Sequence, residues 1–204
     1  MTTRRGYGHR VSVVADPGAG RPRDTRIDAA VLHAAAELLV EVGYQKVTVA
    51  AIADRAGTTK TAIYRRWSGK AELLHDVAFA EFTTMPPSSG DFAHDLRAMI
   101  TVAKNLFARP VTRAALAGLI ADMASDPALA ARVHGGFADV FGAVRERLMV
   151  AVERGEVHAD IDPDRLIEVM GGSAMLRMLL VPDARFDDSW VEQMTAIIMH
   201  GALR

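Results

Sequence analysis

The 204-residue chain has no cysteine. That absence excludes a disulfide framework, a thiolate zinc site, an iron–sulfur cluster and a cysteine nucleophile. Long hydrophobic runs are missing as well. The apolar stretch Met175–Val181 is interrupted by Arg177 and falls far short of the ~18 residues a membrane span requires. No useful period-2 alternation occurs, so no strand is expected, and with no strand there is no strand–loop–helix cradle for a phosphate. An export signal is not supported either. Arg4 and Arg5 precede an apolar segment, Val11–Ala15, that ends at Asp16 after five residues. Residues 1–22 are therefore expected to be a mobile basic arm, and the chain cytoplasmic.

What is present is enough for a real core. Half of the residues are hydrophobic and 24% are charged, which separates the chain from disordered sequences. The length fits one large domain or two small ones. The formal net charge of −1 conceals an asymmetry. Residues 1–75 hold 12 Lys/Arg against 7 Asp/Glu, whereas residues 76–204 hold 12 against 18. A basic front and an acidic back is the distribution expected when only the front meets a polyanion.

Apolar residues recur at helical spacing through most of the chain, which predicts an all-α fold of about nine helices. The first runs from about Asp28 to Val42 and is closed by Gly43. Thr48 caps a short helix to Ala56, and Thr58 or Thr59 caps another over Lys60–Trp67. A longer helix, Gly69 to about Thr84, ends at the Pro- and Ser-rich break 85–90. Further helices are expected over Phe92–Ala108, Val111–Ala124 and Ala128–Arg154. Asp162-Pro163 opens one that reaches Val181 and is stopped by Pro182, and Asp187 or Asp188 opens the last, to about His200.

Residues 48–70 read TVAAIADRAGTTKTAIYRRWSGK. Two short helices packed across a tight turn need a small residue at their contact, a residue tolerant of unusual backbone angles in the turn, and an apolar anchor on the second helix. Ala53, Gly57 and Ile63 stand at those spacings, and Ile52 and Ala56 complete the buried side. The other face of the second helix offers Lys60, Thr61, Tyr64, Arg65 and Arg66. Cations and hydroxyls there suit phosphates, and an Arg fork suits guanine edges in a major groove. Thr48, Thr59 and Lys70 stand at helix starts, where backbone N–H groups favour an anion.

The run from Ile27 to Leu74 resembles the DNA-binding domain of the TetR family of bacterial transcriptional regulators. The resemblance lies in Ala35-Ala36-Glu37-Leu38, Gly43-Tyr44, Thr48-Val49, Ile52-Ala53, Ala56-Gly57, Thr59-Lys60, Ile63 to Trp67 and Lys70 to Leu74. It implies a helix-turn-helix domain over 23–70 and an effector-binding and dimerisation domain over 71–204. It implies a homodimer on a palindromic double-stranded DNA operator, its two reading helices ~34–36 Å apart, released by a small-molecule effector. By the same resemblance Thr48, Tyr64 and Lys70 hold phosphates, and Lys60, Thr61 and Arg65 lie near the bases. Arg21, Arg23 and Arg26 are either solvated or reach the minor groove.

The back two-thirds resemble the family only in outline. Phe79, Phe82, Met99, Phe107, Met123, Phe137, Phe141 and Met175 are candidate lining for an apolar effector pocket, though any of them also reads as plain core. Met170, Ser173, Trp190, Met194, Ile197 and Ile198 on the last two helices are candidates for a dimer interface or for internal packing. No catalytic or metal-binding arrangement is found, and no cofactor is expected. Histidines stand singly, and Asp160, Asp162 and Asp164 lack the Gly and Glu of a calcium loop. Two other readings stay open: a helical enzyme with an incidental helix-turn-helix, and an architectural DNA-binding protein without an effector.

Overall fold

The computed structural model describes residues 25–80, 82, 84–180 and 186–202. The basic arm, Arg21, Arg23 and Pro182 lie outside the described residues. Those residues form ten helices and no strand. They are α1 (Thr25–Val42), α2 (Val49–Arg55), α3 (Lys60–Tyr64), α4 (Lys70–Phe79), α5 (Phe92–Ala108), α6 (Pro110–Ser125), α7 (Pro127–Gly136), α8 (Ala138–Glu153), α9 (Pro163–Leu180) and α10 (Asp188–Ala202).

The tenth helix arises where one was expected over Ala128–Arg154. Two adjacent glycines, Gly135 and Gly136, disfavour continuing the helix, and the chain breaks at Phe137 between α7 and α8. The helix expected to reach Thr84 ends at Phe79, and the described residues between it and the prolines are not helical. The caps follow the sequence closely. Thr48 Oγ1 accepts from Ala51 N and Thr59 Oγ1 from Ala62 N, both at 3.1 Å. Asp162 Oδ1 accepts from Asp164 N at 2.8 Å ahead of Pro163, and Asp126, a cap the sequence reading does not single out, accepts from Ala128 N and Leu129 N ahead of Pro127.

Two cores form. The rear core gathers Leu96, Ile100, Leu148, Met170, Ala174, Trp190 and Val191 from α5, α8, α9 and α10. The front core is built from α1 to α4 around Leu39, Ile52, Ile63, Leu73 and Leu74, and it also takes Val111, Ala115 and Leu119 from α6. The reading domain therefore does not close at residue 70. Its core includes most of α4 and one face of α6, while Leu116 on the same helix faces the rear core. Thr112 Oγ1 and Arg109 Nη1 both donate to the Ala78 carbonyl, at 2.9 and 3.2 Å, and tie the start of α6 to the end of α4.

Tyr44 completes that join. It follows Gly43, whose φ of 76° suits the residue that ends α1. Its ring lies against Gly118 of α6, where any added Cβ would overlap the ring carbons. Its hydroxyl donates to Asp122 one turn further on. Burial, then the Asp122 carboxylate, push the phenol's pKa upward. No helix among the described residues is long and apolar enough to cross a membrane.

Gly118→Ala is expected to lower unfolding stability by about 1–3 kcal/mol through overpacking. In a double-mutant cycle by urea denaturation, Tyr44→Ala should relieve most of that loss, since the ring is what the new methyl strikes. Additive effects would contradict the contact.

Candidate nucleic-acid interface

The reader is organised by three small features. Ala53 is 2% exposed where α2 meets α3, Gly57 takes φ 63° in the turn, and Ile63 is 1% exposed beneath α3. Ile52 is fully buried and Ala56 half-buried. With its back held in this way, α3 turns Lys60, Thr61 and Tyr64 to the outside, and Arg65 follows at its C-cap. Tyr64 is 54% exposed, far more than an aromatic ring with a packing role. The α-helix closes at Tyr64, and Arg65 to Trp67 continue in a tighter turn, with Arg66 N and Trp67 N both donating to the Ile63 carbonyl.

Thr48 and Thr59 are exposed at the starts of α2 and α3. Each hydroxyl oxygen already accepts a backbone N–H, which leaves its proton free to donate outward. Such a pair can anchor phosphates on two walls of a groove without adding charge.

Two expected cations are differently placed. Arg66 turns back and ion-pairs with Asp28 of α1, and its Nη1 donates to the Ala62 carbonyl at 3.2 Å. It braces the reader instead of extending the outward face. The physical reason is phase: in the tighter turn Arg66 follows Arg65 by about 120°, which rotates it toward α1. Lys70, at the start of α4, donates from Nζ to the Tyr44 carbonyl at 3.1 Å, and the same ammonium lies 4.5 Å from the centre of the Tyr44 ring. Arg26 is exposed and has a partner.

Behind the reader, the start of α4 is held by Glu72. Its carboxylate accepts from Ser68 N and Ser68 Oγ and pairs with Arg132 of α7 at 2.9 Å. One turn on, Asp76 Oδ2 accepts from the Trp67 indole N–H at 2.8 Å, and Asp76 Oδ1 lies 3.2 Å from His75 Nδ1. Burial pushes the Asp76 carboxyl up, but His75, Trp67 and Arg132 outweigh it and hold the pKa below the ordinary value. Sequence reasoning misses this network. The His75-Asp76 adjacency is visible in the chain, but nothing in it identifies Trp67 as the third member.

The far end of α4 enters an aromatic cluster. Phe79 meets Phe137 edge-on at 5.1 Å, Phe82 meets Phe137 at 5.5 Å, and Phe137 meets Phe141 at 5.7 Å. His75 joins it 5.2 Å from Phe79. Its Nε2 is buried with no hydrogen-bond partner, a state that costs about 1–3 kcal/mol. Beside the cluster lies an apolar cavity of about 50 Å³ lined by Phe82, Met99, Phe141 and Met170, among others. Of the expected lining residues, Phe79, Phe82, Met99, Phe137 and Phe141 thus come together. Phe107 is buried in the rear core, Met175 packs at its edge, and Met123 belongs to neither core.

The expected dimer residues divide. Met170, Trp190 and Ile198 are buried within the single chain, and Met194 packs against them half-buried. Ser173 is half-buried and Ile197 is 65% exposed. The apolar surface left open on α9 is Val169, Leu176, Leu179 and Leu180. A helical pattern that is apolar on two sides does not say which side its own chain covers, and here the core takes the Met170 side. Among the described residues no three metal-ligating side chains converge.

A short helix with a buried back and a hydroxyl- and cation-bearing front, joined to a second helical domain, defines a helix-turn-helix DNA-binding protein. Comparison with known proteins gives the family. Residues 31–77 match the bacterial regulatory proteins of the tetR family, and residues 86–198 match the tetracyclin repressor-like C-terminal domain. The chain belongs to the TetR family of transcriptional regulators, which are not enzymes.

Among similar proteins, the DNA-binding transcriptional repressor TetR of Mycobacteroides abscessus is 31% identical over 170 residues, 80% of this chain and 86% of its own. The HTH-type regulator YdeS of Bacillus subtilis is 31% identical over 180 residues, 86% of this chain and 89% of its own. The TetR family regulator SCO0332 superposes with a TM-score of 0.65 at 31% identity, covering 88% of this chain and all of the other.

Arg65→Ala removes a cation from the groove-facing surface and should weaken DNA binding and lower the slope of log affinity against log salt, while thermal stability is unchanged. Arg66→Ala should do the reverse, lowering thermal stability with little change in the salt slope. Salt-dependent fluorescence anisotropy and thermal melts on the two variants separate these outcomes.

Proposed function

We propose that the chain is a repressor that binds a palindromic operator as a homodimer and leaves it when a small apolar molecule enters the rear domain. The observation that carries this is the course of α4. It begins at Lys70 beside the reader and ends at Phe79 in the aromatic cluster. Ten residues at 1.5 Å rise make a rod of about 15 Å, so a shift at the cluster is delivered to the reader by a rigid element. An effector that binds one reader position better than the other moves the population by its differential affinity, and by no more. The relative named as a repressor, at 31% identity, supports that sign of regulation.

In this reading Lys60, Thr61, Tyr64 and Arg65 face the groove, and Thr48 and Thr59 anchor phosphates. Lys70 commits one of its three N–H donors to the Tyr44 carbonyl and keeps the others for a phosphate. The dimer forms through the open stripe of α9, where Val169, Ser173, Leu176 and Leu180 recur at three- and four-residue spacing, together with Ile197 of α10. Leu180 is 70% exposed in the single chain, and a stripe of this kind is normally covered by a partner.

Gel-shift assays on the intergenic DNA beside its own gene test the reading, and a retarded fragment at moderate salt is the expected result. No bound fragment would count against it. Leu176→Glu places a charge in the middle of the proposed interface. It should convert a dimer to a monomer in analytical ultracentrifugation and lower operator affinity at least tenfold.

A further inference from the structure

His75 stands at a crossing that the family assignment leaves unexplained. It is 7% exposed, in the middle of α4. One ring nitrogen, Nδ1, is 3.2 Å from Asp76 Oδ1, and the other, Nε2, is buried and unpartnered. An Asp76 carboxylate accepts and does not donate, so the proton of a neutral imidazole sits on Nδ1 and Nε2 presents a bare lone pair. The Cε1–Nε2 edge of the ring borders Gly136, where an added Cβ would lie 3.6 Å from Cε1 and 3.9 Å from Nε2. The next residue, Phe137, stands at the joint between α7 and α8 and has its ring 6.2 Å from the imidazole. Phe137 also packs against Phe82 and Phe141, which line the apolar cavity, so its ring is in contact distance of both the imidazole and the cavity wall. The same imidazole is tied through Asp76 to the Trp67 indole, directly after the reading helix.

Resting on the apolar-effector reading above, we propose that His75 is the polar recognition group of that site, and that its ligand is a flat apolar ring bearing a hydrogen-bond donor, such as a phenol. The ligand ring takes the place of the Phe137 side chain, which swings on the Gly135-Gly136 joint. Its hydroxyl donates to Nε2 and satisfies the one buried nitrogen of the cluster without a partner. Accepting that bond polarises the imidazole and strengthens the Nδ1–H bond to Asp76. The Asp76 carboxylate is shared with Trp67, so its hold on the indole N–H changes in the same event. Occupancy is thereby reported to the end of the reading helix through three side chains.

The test uses the full chain and two probes of nearly equal shape, p-cresol and p-xylene, which differ by a hydroxyl in place of a methyl. Affinities are read by NMR titration, and the indole N–H resonance of Trp67 is assigned with Trp67→Phe. The wild type should bind p-cresol at least tenfold tighter than p-xylene, and p-cresol should shift the Trp67 resonance. His75→Phe should bind both probes alike and leave the Trp67 resonance still. His75→Gln, which keeps an acceptor, should retain a preference for p-cresol and shows that loss in the first variant is not misfolding. Equal affinities in the wild type, a preserved preference in His75→Phe, or p-cresol binding that leaves Trp67 unmoved would overturn the role of His75 while the apolar site stands. Failure of both probes to bind the wild type would overturn the apolar site and this proposal together.

Discussion

The structure depends on one close approach. Gly118 leaves a gap in the surface of α6, and the ring of Tyr44 fills it. Because the tyrosine belongs to the loop that follows α1, this packing fixes the reader against the rear domain at one point. The hydrogen bond to Asp122 and the Lys70 ammonium hold the same residue from two further directions. Burial of the ring supplies the energy, on the order of 25 cal/mol per Å² of apolar surface, and the polar partners set its orientation. A looser join would let α3 wander relative to α6, and the position of a reading helix would then carry no information about the other domain.

The reader itself separates stability from recognition along a single short helix. Ile63 and Trp67 face inward, and Lys60, Thr61, Tyr64 and Arg65 face out. Arg66 crosses that division by pairing with Asp28. Neighbouring arginines of one sequence motif therefore have different physical tasks, one solvated and one bracing. The exposed hydroxyls of Thr48 and Thr59 complete the front without adding charge that would repel its neighbours.

Much of this is legible in the sequence. Helix starts are set by Thr48, Thr59 and Asp162, whose side chains cap whatever the tertiary context, and Ala53, Gly57 and Ile63 identify the reader by spacing. Other features are hidden, the network of Trp67, Asp76 and His75 among them. Phe137 breaks a long apolar pattern because two adjacent glycines weaken it, and periodicity is blind to backbone entropy. Arg66 and Lys70 read as outward cations because their partners, Asp28 and the Tyr44 carbonyl, are distant in sequence. Met170, Trp190 and Ile198 stay open between core and interface, because a helix with two apolar sides does not declare which one its own chain occupies.

The placement of α6 carries a consequence for how the molecule can be taken apart. Val111, Ala115 and Leu119 roof the front core, although the whole of α5 separates them in sequence from the end of α4. A fragment ending after α4 would lack Val111, Ala115 and Leu119, so its core would be open to water where α6 now covers it. Heat or denaturant should melt both halves in one cooperative transition. A chimera that borrows this reader has to import α6 along with it.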